Sequence, residues 1–253
     1  MADLAGLNAG LLALVLATYL LAGTIKGVTG LGFPAICIGL TTLFLDPRTA
    51  IALVLFPMIV SNFWQIWRAG EILRAARDYA PFAAVMMIGA FAMALFAAGA
   101  SDRLLYAVTG IAFVLFVLVN LTVDLPPLPD RYDRAAQLGF GASAGILGGL
   151  TAIWAPPIAI YLSARHRTGD EFVRASGLLI SLGSLPLIAG YATSGTLTGG
   201  LALGSAALVV PALMGFRVGE MTRAYLSPGL FRKVSLALFL LLGLNLLRKA
   251  LME

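Results

Sequence analysis

Charge is scarce in this sequence. Seventeen Lys and Arg with twelve Asp and Glu make up 11% of its 253 residues, against about 25% in a soluble globular chain. Hydrophobic residues account for 60% and the mean hydropathy is +0.96. Together these exclude a water-soluble domain, a disordered chain and a nucleic-acid module, because no connection is long enough to hold a separate folded unit. Cysteine is reduced to Cys37 and histidine to His166. That excludes an internal disulfide and a thiolate metal cluster, and no metal or cofactor is expected. Basic residues are missing ahead of the first apolar run, where the chain opens Met1-Ala2-Asp3. A removable signal needs a positive n-region, so the first hydrophobic segment is expected to remain part of the fold.

What is present is an integral membrane protein. Apolar runs fall at 5–25, 33–45, 49–67, 79–98, 103–123, 135–149, 155–164, 171–193, 197–216 and 230–248. At about 1.5 Å per residue, most can cross a hydrocarbon core of about 30 Å. The 33–45 and 155–164 runs reach only about 20 Å and about 15 Å. Each follows a Gly-rich interruption, Gly27-Val28-Thr29-Gly30-Leu31-Gly32 in one case and Gly148-Gly149-Leu150-Thr151 in the other. Both read as hairpins of broken helices, with Pro34 and Pro156-Pro157 in the first turn of the restarting helix, where a missing N–H costs nothing.

The two interruptions match each other. A shift of 122 residues lays Gly23-Thr24-Ile25-Lys26-Gly27-Val28-Thr29-Gly30-Leu31-Gly32-Phe33-Pro34 on Gly145-Ile146-Leu147-Gly148-Gly149-Leu150-Thr151-Ala152-Ile153-Trp154-Ala155-Pro156 without a gap, and lays Asn62 on Ser184. The chain is therefore read as a duplication: a first repeat over 1–123, a polar Pro-rich linker over 124–134 and a second repeat over 135–253. Basic residues concentrate in four connections, at 68–78, 131–134, 165–174 and 217–233. Placing all four in the cytoplasm requires each hairpin to enter and leave on one side. Each half then adds three spans, and the halves run in opposite senses with the N-terminus on the periplasmic face. The expected fold is all-α and polytopic, built of two inverted repeats.

Inverted repeats with discontinuous helices are the usual build of secondary transporters, and a restarting helix offers N–H groups and a positive dipole end to an anion. Lys26 is the one charged side chain within an interruption. It reads two ways: a ligand for an anion, or a side chain snorkelling to the interface or capping free carbonyls. Every acidic residue lies in a loop, linker or terminus, which leaves no proton relay and no acidic cation site in a span. The balance favours an anion. Thr29 and Thr151, matched by the shift, either donate to that anion or bond a local carbonyl. Asn62 and Gln65 share a helix face and either line the pathway or bond between helices. Arg174 either pairs with an anion or anchors beside Asp170. Phe33 and Trp154 flank the breaks, as gates or as packing. Backbone N–H groups at 29–33 and 151–155, including those of Gly30, Gly32 and Ala152, complete the candidate site.

With those residues in view, the chain resembles the TauE/SafE sulfite-exporter family. The first break, then Asp46-Pro47-Arg48-Thr49-Ala50 and Asn62-Phe63-Trp64-Gln65-Ile66-Trp67-Arg68, look like that family's first repeat. The second break with Ala155-Pro156-Pro157, and later Phe172-Val173-Arg174-Ala175-Ser176, is similar to its second half. The resemblance implies a multi-pass carrier of the bacterial cytoplasmic membrane. Its partners would be the lipid bilayer and a small inorganic or organic sulfur anion, sulfite or an organosulfonate. A passive anion channel of the same fold is the alternative. Gly141-Ala142-Ser143-Ala144-Gly145 fits a serine hydrolase motif, but the sole histidine lies in a basic loop outside the apolar runs, and no enzyme is expected.

Overall fold

The computed structural model describes residues 8–30, 32–70, 72–122, 127–167, 169–222, 225 and 228–252. Asp3, Leu31, Glu71, Val123, residues 124–126 of the linker, Arg223 and Glu253 lie outside them, as do the side chains of Arg68, Asp170 and Arg232. The described chain is helical: α1 (Ala9–Thr29), α2 (Phe33–Thr41), α3 (Pro47–Ala69), α4 (Ile72–Asp78), α5 (Ala80–Gly99), α6 (Asp102–Thr122), α7 (Asp133–Thr151), α8 (Ala155–Ala164), α9 (Gly169–Thr193), α10 (Gly199–Ala207), α11 (Val209–Thr222) and α12 (Pro228–Met252). Seven stretches are long and apolar enough to cross a membrane, with α10 and α11 counted as one. Ile88, Leu115, Leu203 and Leu241 among many others are exposed. Such a surface suits acyl chains rather than water.

Local chemistry sets the helix ends. Asn8 caps α1 through its Oδ1, which accepts from Leu11 N at 2.8 Å. Asp46 caps α3, accepting from Thr49 N at 2.9 Å and Thr49 Oγ1 at 2.6 Å, with Pro47 following it. Both expected breaks exist but begin later than the glycine runs: α1 continues through Gly27 to Thr29 and α7 through Gly148 and Gly149 to Thr151, and α2 and α8 are the two short helices beyond them. Three expectations shift in detail. The 68–78 connection contains α4, Arg174 stands inside α9 rather than in a loop, and the span from Gly199 is interrupted at Leu208. Helix α7 begins at Asp133.

Packing follows the matched positions. α1 lies on α11, α7 on α5, α3 on α9 and α6 on α12. In the first two pairs the backbones nearly touch. Gly23 and Gly27 face Ala212, Phe216 and Glu220, while Gly215 and Gly219 face Leu20 and Thr24. Gly141, Gly145 and Gly149 face Phe82, Met86 and Ala90. Small residues at four-residue spacing permit this approach in an environment where apolar burial drives little association. The glycines of the hydrolase-like motif thus serve helix packing, and the Ser143 hydroxyl donates to Phe140 O at 2.9 Å.

Two ends can be told apart by their polar contacts. At one, Arg74, Asp78, Tyr79, Arg167, Glu171 and Arg174 line a cavity of about 240 Å³. Asp78, Tyr79, Asp133, Gln137, Tyr161, Arg165 and Arg167 line an adjoining one of about 200 Å³. Three of the four basic connections therefore share this end. The α7–α8 hairpin is sewn shut here: Tyr161 OH donates to Asp133 at 2.8 Å, Arg165 pairs with Asp130 at 2.6 Å and Asp133 at 3.2 Å, and Leu128 N donates to Ala164 O at 2.8 Å. At the other end Arg48 pairs with Asp102 and donates to the carbonyls of Ala97 and Ala100. There also Lys249 donates to Thr42 O, just past α2, and sits 5.2 Å from the Tyr106 ring.

Pro57, inside α3, removes the N–H that would bond Leu53 O. A neighbouring helix restores the balance. Ser205 of α10, fully buried, donates to Leu53 O at 2.8 Å and accepts from Phe56 N at 3.1 Å.

Candidate functional site

Lys26 sits one turn before the end of α1 and is 2% exposed. Its ammonium donates to Asn62 Oδ1 at 2.5 Å and Ser61 Oγ at 3.0 Å, both on α3. The Phe33 and Phe216 ring centres stand 5.9 and 5.8 Å from it, and Tyr19 meets Phe33 edge-on at 6.0 Å. Lys26 does not snorkel. Among the described residues no carboxylate pairs with it. Asn62 Nδ2 and Tyr19 OH, both buried, have no protein partner either. The cluster is rich in donors and short of acceptors, an arrangement that costs about 1–3 kcal/mol for each buried group left unmade.

The chain turns directly after this cluster. Gly30 caps α1 at φ 80 and its N–H returns to Lys26 O at 2.6 Å; Gly32 caps α2 at φ 92. The second break repeats the cap. Ala152 takes the left-handed conformation at φ 56, with its N–H to Gly148 O at 2.7 Å. Thr29 Oγ1 donates to Ile25 O at 2.8 Å, and Thr151 Oγ1 to Leu147 O at 2.7 Å. The local-carbonyl reading therefore describes both threonines, and Thr29 is exposed. Pro156 and Pro157 leave the start of α8 with few N–H donors, since Ile158 N already bonds Trp154 O at 3.3 Å.

The remaining candidates fall in three places. Gln65 follows Asn62 along α3, and its Nε2 donates to Val173 O of α9 at 3.0 Å, the interhelical bond that its face allowed. Trp154, 1% exposed, lies against Gly148 and Gly183. Arg174 lines the cavity at the basic end beside Arg74, Tyr79 and Arg167, away from the Lys26 cluster. Burial raises the Tyr79 phenol above its ordinary value, so it faces that cavity as a neutral group. Ser61 and Phe216 escaped the sequence reading. Ser61 was legible as a polar neighbour of Asn62 in an apolar run. Phe216 had no signal, because only the α1–α11 packing brings it to Lys26.

Fold and site together define a polytopic α-helical membrane protein whose interrupted hairpin holds a buried ammonium. Within that class, the chain belongs to the sulfite exporter TauE/SafE family, which residues 15–246 match. No curated protein and no solved structure matches the chain. The family transports sulfite and related sulfur compounds across membranes, which points away from an enzyme.

Proposed function

We propose that this protein exports a small sulfur-containing anion, sulfite or an organosulfonate, by alternating access. The Lys26 cluster carries the reading. A buried ammonium bonded only to neutral oxygens, beside an Asn amide N–H that lacks an acceptor, has the charge and a further donor to replace part of the water shell of an oxyanion. Gly30, Gly32 and Phe33 shape the turn beside it, and Thr29 holds the end of α1. Thr151, Ala152 and Trp154 form the matching turn in the second half. Gln65 ties α3 to α9, and Arg174 would meet the anion at the basic mouth.

Alternating access would run on two inverted repeats. The α7–α8 hairpin has both its ends at the basic end, whereas α2 ends beside Lys249 at the other. The exchanged pairs, α1 on α11 and α7 on α5, are what a two-fold axis in the membrane plane would produce. By the positive-inside rule the basic end faces the cytoplasm of a bacterial inner membrane and the N-terminus faces the periplasm.

The experiment is sulfite uptake into proteoliposomes, with empty vesicles and Lys26→Met alongside. Saturable uptake that collapses in the folded variant is expected. Flux that grows without saturation would make the protein a channel. Equal flux in the variant would displace the site and keep the family activity.

A further inference from the structure

The two breaks differ in one exchange of side chains. Under the 122-residue shift, Lys26 falls on Gly148, Ser61 on Gly183 and Gly32 on Trp154. The second half has lost both side chains that bond each other at the first break, and it has gained an indole. That indole stands where the missing side chains would stand. A Cβ built on Gly183 would lie 2.8 Å from Trp154 Nε1, and one built on Gly148 would overlap the same edge of the ring. Met86 of α5 closes the slot, its Cε 3.3 Å from the Gly183 position. In the first half the trade is reversed: Gly32 has no side chain, and Lys26 with Ser61 occupies the slot between α1 and α3.

We propose that Trp154 plugs a second half-site built on the same plan as the Lys26 site, so that the anion is held by the first half alone and the indole sets the largest anion accepted. This rests on the anion-carrier reading above. The slot contains no charge of its own. Gly148, Gly183 and Met86 would offer an apolar lining to an alkyl chain if the ring were smaller. One methylene in an apolar pocket changes discrimination by about 10-fold to 200-fold, so a partial opening should be read easily as a change in chain-length preference.

The test measures inhibition of radiolabelled sulfite uptake by methane-, propane- and pentanesulfonate in wild type, Trp154→Phe and Trp154→Ala. The preference for pentanesulfonate over methanesulfonate is expected to rise about tenfold in Trp154→Ala, and by less in Trp154→Phe. The Phe variant keeps most of the packing and carries the test should the Ala variant fail to fold. An unchanged preference in folded variants that still take up sulfite overturns the plug and leaves the carrier standing. Ligand-dependent thermal stabilisation by the same sulfonates, in detergent, reads the slot without flux. No stabilisation in any form, together with no sulfite uptake, overturns both readings.

Discussion

Lys26 Nζ and Asn62 Oδ1 stand 2.5 Å apart, and this bond leaves the Asn62 amide N–H group without an acceptor. The lysine therefore orients a second donor as well as supplying a charge. A buried cation with neutral partners is held at a cost in desolvation, and its removal should relieve that cost while abolishing anion capture. Lys26→Met is expected to lower sulfite uptake at least tenfold while its melting temperature holds or rises. A melting temperature that falls with the flux would mean that Lys26 is structural.

The same bond makes a distinct claim for Asn62. Asn62→Leu removes the acceptor for Lys26 and the free amide donor together, so uptake should weaken chiefly through a higher KM. Asn62→Asp places a carboxylate beside the ammonium and neutralises it. Uptake kinetics of the Asp variant that match wild type would sink the anion role of the pair.

Ser205 and Pro57 form a second coupled pair. Ser205→Ala leaves the Leu53 carbonyl unmet and is expected to cost about 1–3 kcal/mol. In a Pro57→Ala background the helix supplies its own donor to Leu53, and the cost of Ser205→Ala should shrink. A double-mutant cycle in detergent unfolding reads the coupling, and additive costs would refute it.

Glycines that look alike in the sequence should behave differently. A Cβ on Gly145 would lie 2.6 Å from Met86 O, whereas one on Gly139 of the same helix meets nothing within 4 Å. Gly145→Ala is expected to cost about 1–3 kcal/mol by overpacking. Gly139→Ala should be neutral, or stabilise by about 0.5–1 kcal/mol as a helix former. Thermal unfolding of the two variants makes the comparison.

Cysteine labelling tests the orientation. Cys37 is buried and should not react, so a cysteine placed at exposed Arg77 reports the basic end and one at exposed Ser101 the other. In intact cells Ser101→Cys is expected to react with an impermeant maleimide, and Arg77→Cys only after permeabilisation. The reverse pattern would turn the protein over.

Much of the architecture was legible in the sequence because interrupted helices leave local marks. The glycine runs lie where one helix ends, at Gly30 in the first case and three residues past Gly149 in the second, and Pro34 and Pro156 open the next. A matched register then survives at Gly30 and Ala152, which share one backbone conformation although one of them has a Cβ. What depends on distant neighbours was not legible. Ser205 looked like any small residue in a span until it was found opposite Leu53. Trp154 read equally well as gate or packing, because its meaning lies in the two glycines across from it. Arg174 lines the cavity at the basic end, a placement set by how α9 packs and not encoded in spacing.

The pairing of α1 with α11 and of α7 with α5 has a consequence for biosynthesis. The glycine face of α1 has its partner in α11, near the end of translation, while α7 finds α5 already made. The first hairpin to leave the ribosome must wait beside the translocon with that backbone seam open, although Lys26 meets Ser61 and Asn62 as soon as α3 follows. The second hairpin docks as it emerges. Truncation ahead of α11 would therefore release a chain that is inserted yet cannot close, and membrane quality control would meet the open glycine face of α1 rather than a folded protein.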